Sequence, residues 1–105
     1  MISTDVINEI YKPQIIKRPT VKKEFAYQSY GLGWFIDYYR NNLMIHHGGS
    51  TLGCQSLISF MPKEEMGVVV LCNKLCTLTE AISYSIYDKL LDLEPINWNL
   101  RKKVF

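Results

Sequence analysis

The sequence lacks any apolar run approaching the ~18 residues of a membrane-spanning helix, so nothing in it reads as a span. Its opening residues do not read as a secretory leader either. After Met1 comes "ISTDVINEI", with an acid where the basic region and apolar core of a signal peptide should stand. One-sided charge is also missing: 12 basic and 10 acidic residues leave a net +2, too little to argue for nucleic acid. Lys17, Arg18, Lys22 and Lys23 form the one basic cluster, in a loop-like segment that reads as solvated.

Cysteine is scarce and odd in number. Cys54, Cys72 and Cys76 include no C-x-x-C pair, and no further ligand follows Cys72 and Cys76 at zinc-site spacing. All three read as free thiols, mostly buried, and they leave the redox compartment open. Histidine is scarcer still. His46 and His47 are the 2 present, and on a strand neighbouring side chains point to opposite faces, so the pair cannot readily share a metal ion. No metal and no cofactor is expected.

What is present fits one small α+β domain. A chain of 105 residues can bury a usable core, and 48% apolar with 21% charged residues is ordinary for a folded domain. "ISTDVINEIYKPQ" predicts a short helix: Ser3 suits the N-cap, Ile2 and Ile7 stand at staple spacing, and Val6, Ile7, Ile10 and Tyr11 give an apolar side that Pro13 ends. Residues 15–26 are irregular and polar and predict a loop. "YGLGWFIDYY" predicts a strand, "RNN" at 40–42 a turn, and "LMIHH", "CQSLISFM" and "MGVVVLC" three more strands. Pro62 to Glu65 has hairpin-loop length. Val68 to Leu71 is an uninterrupted apolar run, expected where both faces of a strand are covered, and this suggests a cover beyond the chain.

A second helix follows. Thr77 and Glu80 form a capping box, and Leu78, Ile82, Ile86, Leu90 and Leu93 form an i, i+4 stripe that Pro95 ends. The expected order is helix, four antiparallel strands, helix, with both helices on one face of the sheet. Residues 1–95 make up this sheet-plus-helices portion, and 96–105 are a tail or the start of a linker.

The chemistry concentrates in "NLMIHHGGSTLGCQS" at 42–56. Gly48-Gly49-Ser50-Thr51 nearly spells a G-x-S-x-G nucleophile elbow, but the second glycine arrives one residue late, at Gly53. An S-x-x-K nucleophile is absent: Ser3, Ser29, Ser50, Ser56, Ser59, Ser83 and Ser85 are followed three residues later by Val6, Leu32, Gly53, Ser59, Pro62, Ile86 and Asp88. No serine in the chain is activated by these motifs. The glycines can let a substrate approach the backbone, and strand N–H groups can form half of an oxyanion hole. From these residues alone, a tight strand end carrying a half-exposed histidine is the favoured reading.

Taken together, "YGLGWFI", "HGGSTLGCQSLISFMPKEEMGVVVLCN" and a helix ending "LLDLEPINW" resemble the C-terminal part of serine β-lactamase-fold hydrolases. The likeness is to the class C β-lactamase, esterase and penicillin-binding-protein-like group, and it covers nearly the whole chain. His47-Gly48-Gly49, with Gly53 and Ser56 in step, falls on that group's H-x-G motif, and Cys54 replaces the usual aromatic. The resemblance implies roles. His47 would help bind substrate and tune the proton network, the backbone N–H of Ser50 would be one oxyanion donor, and Gly48, Gly49 and Thr51 would line the substrate. The S-x-x-K serine and the Y-x-N motif of the group would lie in a missing N-terminal part of the parent. Tyr39-Arg40-Asn41 spells Y-x-N, but on a turn beside the H-x-G strand, and is a coincidence.

The implied activity of the parent is acyl transfer on a β-lactam, ester or peptide carbonyl, with this chain inactive alone. The alternative is a non-catalytic binding module whose uncovered sheet face pairs with a second copy or another chain. The resemblance implies a parent that is periplasmic, secreted or in the cell envelope, and leaves the location of this chain open.

Overall fold

A computed structural model describes residues 2–16, 28–75 and 78–98. The elements run α1 (Thr4–Ile10), β1 (Ile15–Ile16), β2 (Ser29–Tyr30), β3 (Phe35–Tyr39), β4 (Asn42–Thr51), β5 (Cys54–Met61), β6 (Met66–Cys72) and α2 (Leu78–Leu90). The strands form one antiparallel sheet in chain order, β1 to β6. The α+β class holds, with six strands where four are expected. Ile15–Ile16, expected as loop, pairs with Ser29–Tyr30 as the outer pair of strands; the rest of the predicted loop lies outside the described residues. Among the described residues no helix is long and apolar enough to cross a membrane.

The chain divides into two compact units, Met1–His47 with Ser59–Gly67, and Gly48–Ile58 with Val68–Phe105. The first unit is built around Ile36, Tyr39, Met44, Ile45 and Met61, all buried. In it the Ser3 hydroxyl accepts from the Val6 N–H and caps α1. The helix buries no residue fully: Val6 and Ile2 are exposed, and only Ile7 and Ile10 are half-buried. The expected staple and apolar side therefore contribute little. What fastens the end of α1 is Tyr11, whose ring meets Trp34 at 6.1 Å and Phe60 at 5.2 Å, both edge-on.

The predicted strand Tyr30–Tyr39 is broken in two, and its glycines are the reason. Gly33 takes φ +90°, a left-handed conformation that turns the chain between β2 and β3. Gly31 lies where a Cβ would be 2.5 Å from the Ile10 carbonyl oxygen and 3.0 Å from that of Lys12. Bare backbone is thus needed for Leu32 N–H to donate to Ile10 at 3.0 Å and Gly31 N–H to Trp34 at 2.8 Å.

The turn predicted at 40–42 is a two-residue hairpin. Tyr39 pairs with Asn42, and Arg40 and Asn41 take φ 47° and 70°, the left-handed pair of a type I′ turn whose twist matches the strands. Asn42 Nδ2 donates to the Arg40 carbonyl at 3.0 Å. Tyr39, fully buried at the end of β3, is thus a core residue of a hairpin, which explains its Y-x-N spelling without catalysis. The loop at Pro62 to Glu65 is closed by Glu65 N–H donating to Pro62 at 3.3 Å.

In the second unit the core is Leu57, Val68, Ala81, Tyr84, Tyr87 and Trp98. Within this chain β6 is covered on one face and open on the other, as the expected cover from beyond the chain requires: Val68 is buried, but Val69 is 61% and Leu71 78% exposed. One expectation is overturned, because α2 turns its predicted stripe outward. Leu78, Ile82, Ile86 and Leu90 are exposed, while Thr79, Ala81, Ser83, Tyr84, Tyr87 and Asp88 are buried. The face with the two tyrosines removes large aromatic surfaces from water, and it meets Trp98, whose ring lies 4.9 Å from Tyr84 and whose Nε1 donates to Asp88 at 3.4 Å. Trp98 stands in the expected tail yet is buried.

The helix also ends before Pro95. Asp92 takes φ 55°, its N–H donates to Lys89 at 3.2 Å, and Leu93 N–H donates to Asp88 at 2.8 Å, a Schellman closure. Thr77 of the predicted capping box lies outside the described residues, as does Cys76.

Candidate functional site

The predicted corner is not a strand end. β4 runs unbroken from Asn42 through both histidines and both glycines to Thr51, and only then turns at Leu52-Gly53, with Gly53 at φ 80°. Burial changes along it: Met44 and Ile45 are buried, His46 and His47 half-buried, and Gly48 to Thr51 exposed. The apolar half anchors the strand and the polar half is open.

In the first unit, the β3–β4 register decides what the histidines touch. Phe35 lies opposite His46 and Asp37 opposite Met44, so Asp37 is the diagonal neighbour of His46 on one face. His46 Nε2 hydrogen-bonds Asp37 Oδ2, which also accepts from Gln28 Nε2 at 3.1 Å. Asp37 is 1% exposed, and its other oxygen, Oδ1, is buried with no hydrogen-bond partner among the described residues. His47 takes a different partner: its Nε2 is 3.1 Å from Tyr30 Oη. Phe35 touches both imidazoles at 5.5 Å between centroids, stacked at 19° on His46 and tilted at 33° on His47, while Tyr30 meets Phe35 edge-on at 4.7 Å. Among the described residues no three His, Cys, Asp or Glu side chains come together as a metal site.

In the second unit, Gly49, Ser50 and Thr51 line an open depression of about 690 Å³ together with Cys54, Ser56 and Cys72. Gly48 is outside this lining. Its walls offer hydroxyl, amide and thiol groups but no carboxylate or ammonium. Gly49 is held close to the neighbouring strand: a Cβ there would lie 2.7 Å from Ser56 Oγ. Cys54 is exposed and Cys72 half-exposed, both free thiols; the expectation that the cysteines are mostly buried fails for Cys54, because it opens β5 at the rim of the depression.

Of the residues expected to act, Gly49, Ser50 and Thr51 are thus gathered around one depression, and His47 is engaged by Tyr30. Tyr30, Phe35, Asp37 and Gln28 were not expected. The signal for Tyr30 and Phe35 was present in "YGLGWFI", where the structure gives most positions a physical role. Tyr30 bonds His47, Gly31 admits the Ile10 and Lys12 carbonyls, Gly33 turns the chain and Trp34 packs on Tyr11. Asp37 gave no signal, because an acid within a strand ordinarily reads as solvent-facing.

A six-stranded antiparallel sheet preceded by one helix and followed by another defines an α+β domain. A family model for Beta-lactamase matches residues 14–91, most of the chain, so the chain belongs to the beta-lactamase family. No curated protein and no solved structure gives a significant match.

Proposed function

We propose that this chain supplies the H-x-G strand of a serine hydrolase related to the β-lactamases and penicillin-binding proteins. The reaction is acyl transfer on a β-lactam, ester or peptide carbonyl. The observation that carries the reading is β4 itself, an extended strand that leaves its core at His47 and exposes Gly48 to Thr51, with Gly49 to Thr51 along an open, uncharged depression. Such a strand presents N–H groups to a carbonyl, and the Ser50 N–H serves as one oxyanion donor. Gly48, Gly49 and Thr51 border the acyl group, and His47 binds and orients it. The nucleophile and its base belong to an S-x-x-K segment of the parent, because no serine here has the lysine. Losing one oxyanion donor costs ~10²–10³ in rate, but a donor without a nucleophile performs no acyl transfer.

The chain alone is therefore inactive. Treating it with a fluorophosphonate or a penicillin and weighing the product tests this: an unmodified mass is expected, and acylated Ser50 would overturn the assignment of the nucleophile. Exposed Val69 and Leu71 favour a second reading, a non-catalytic module whose open sheet face pairs with another copy. Light scattering separates the two, since a concentration-independent monomer rejects self-pairing.

A further inference from the structure

We infer that Tyr30 is a positioning residue for His47, and that its hydroxyl donates to Nε2 and holds the neutral ring in the tautomer with its proton on Nδ1. The 3.1 Å separation of Tyr30 Oη and His47 Nε2 is a hydrogen bond that could run either way. Chemistry gives the direction. A phenol proton, with an ordinary pKa of about 10, is the better donor, and the in-plane lone pair of an imidazole, whose conjugate acid has a pKa of about 6.5, is a far better acceptor than a phenol oxygen. Geometry holds the pair in place: Tyr30 sits edge-on to Phe35 at 4.7 Å, and the same Phe35 ring lies 5.5 Å from His47.

The neighbouring histidine supplies the contrast. His46 Nε2 faces the carboxylate of Asp37, which when ionised can only accept, so in His46 the proton sits on Nε2. Two adjacent imidazoles on one strand are thereby fixed in opposite states, one by an acceptor and one by a donor. Neutral imidazole left to itself favours the Nε2–H form, so the His47 state needs its partner.

This rests on the proposed function for its meaning. With its Nε2 lone pair engaged by Tyr30, His47 withholds a base at Nε2 and leaves removal of the serine proton to another group.

The test reads the rings of the full chain directly. A ¹⁵N-labelled sample is recorded at pH about 8.5, some two units above the ordinary imidazole value, by long-range ¹H–¹⁵N correlation. The chain has 2 histidines, and a His46→Gln variant assigns them. Expected is a pyridine-like Nε2 with a pyrrole-like Nδ1 for His47, and the reverse for His46. In Tyr30→Phe the pyridine-like Nε2 signal of His47 is lost in favour of the Nε2–H or averaged pattern, while His46 keeps its own. A wild-type His47 protonated on Nε2 overturns the inference, and so does a His47 pattern unmoved in Tyr30→Phe. Should Tyr30→Phe not fold, the wild-type spectrum decides alone. Neither outcome depends on acyl transfer, so a failed labelling experiment and a failed tautomer assignment are separate results.

Discussion

Gly31→Ala would bring a methyl closer to fixed backbone than alanine at any other glycine of the chain. The new Cβ would stand 2.5 Å from the Ile10 carbonyl oxygen, 3.0 Å from that of Lys12 and 3.3 Å from Ile36 Cδ1. The first two are backbone atoms, so no rotamer relieves them. Relief requires α1 to withdraw, which also stretches the bond from Leu32 N–H to the Ile10 carbonyl. Overpacking of this kind costs ~1–3 kcal/mol, and a lost backbone hydrogen bond about 1 kcal/mol more. Replacing glycine returns ~0.4–1 kcal/mol by restricting the unfolded chain. The net is a destabilisation of about 1–3.5 kcal/mol, which for a domain of this size lowers Tm by roughly 4–28 °C. Thermal and urea unfolding followed by circular dichroism measure it. Gly48→Ala is the control, since its Cβ meets only the Ser56 carbonyl at 3.5 Å, an ordinary contact, and should stay within about 0.5 kcal/mol of wild type. If Gly31→Ala behaves like Gly48→Ala, the close passage of α1 over β2 is wrong, and with it the explanation of the Y-G-L-G-W motif.

Asp37→Ala removes the buried acceptor shared by His46 and Gln28 and should cost about 3 kcal/mol; a double-mutant cycle with His46→Gln should show a coupling of about 1–3 kcal/mol, and additivity would mean the two side chains do not interact. Asp92→Gly relieves a left-handed residue at φ 55° in the helix closure and should raise stability by ~0.5–1 kcal/mol in a thermal melt, whereas a loss would show that the aspartate side chain itself supports the cap.

The parts of the fold legible in the sequence are those written in local chemistry. Ser3 caps, the Arg40-Asn41 pair turns and Pro62 to Glu65 loops because each depends on a few adjacent backbone angles or one side-chain oxygen. Strand existence was legible for the same reason. Illegible were features set by partners distant in the chain. The pairing of Ile15–Ile16 with Ser29–Tyr30 closes a long segment for two residues, too short a strand to leave a pattern. Asp37 is buried because His46 and Gln28 arrive at its carboxylate, and the extension of β4 through two glycines comes from the strand beside it, since glycine by itself predicts a break. At the site, the H-x-G letters drew attention to β4, but the engagement of His47 by Tyr30 needed the register of three strands.

Pattern and packing part most sharply in α2. Apolar residues at i, i+4 ordinarily mark the inner face of a helix, yet Leu78, Ile82, Ile86 and Leu90 keep 37%, 44%, 37% and 56% of their surface exposed. Periodicity finds an amphipathic face; it does not say that the helix has only one. α2 has two, and the second carries Tyr84 and Tyr87, buried at 6% and 0% exposure, with Trp98 laid against Tyr84. Within this chain the aromatic face takes the core. Substituting lysine for both Ile82 and Ile86 therefore removes little packing and should leave stability within about 1 kcal/mol, two surface changes of about 0.5 kcal/mol each, while reducing the binding of an apolar dye. Had the stripe been the core face, the same double variant would bury two charges and abolish folding. An unfolded Ile82→Lys/Ile86→Lys chain would therefore reverse the orientation of α2, whereas a folded one with weaker dye binding leaves the stripe on the open face of the helix.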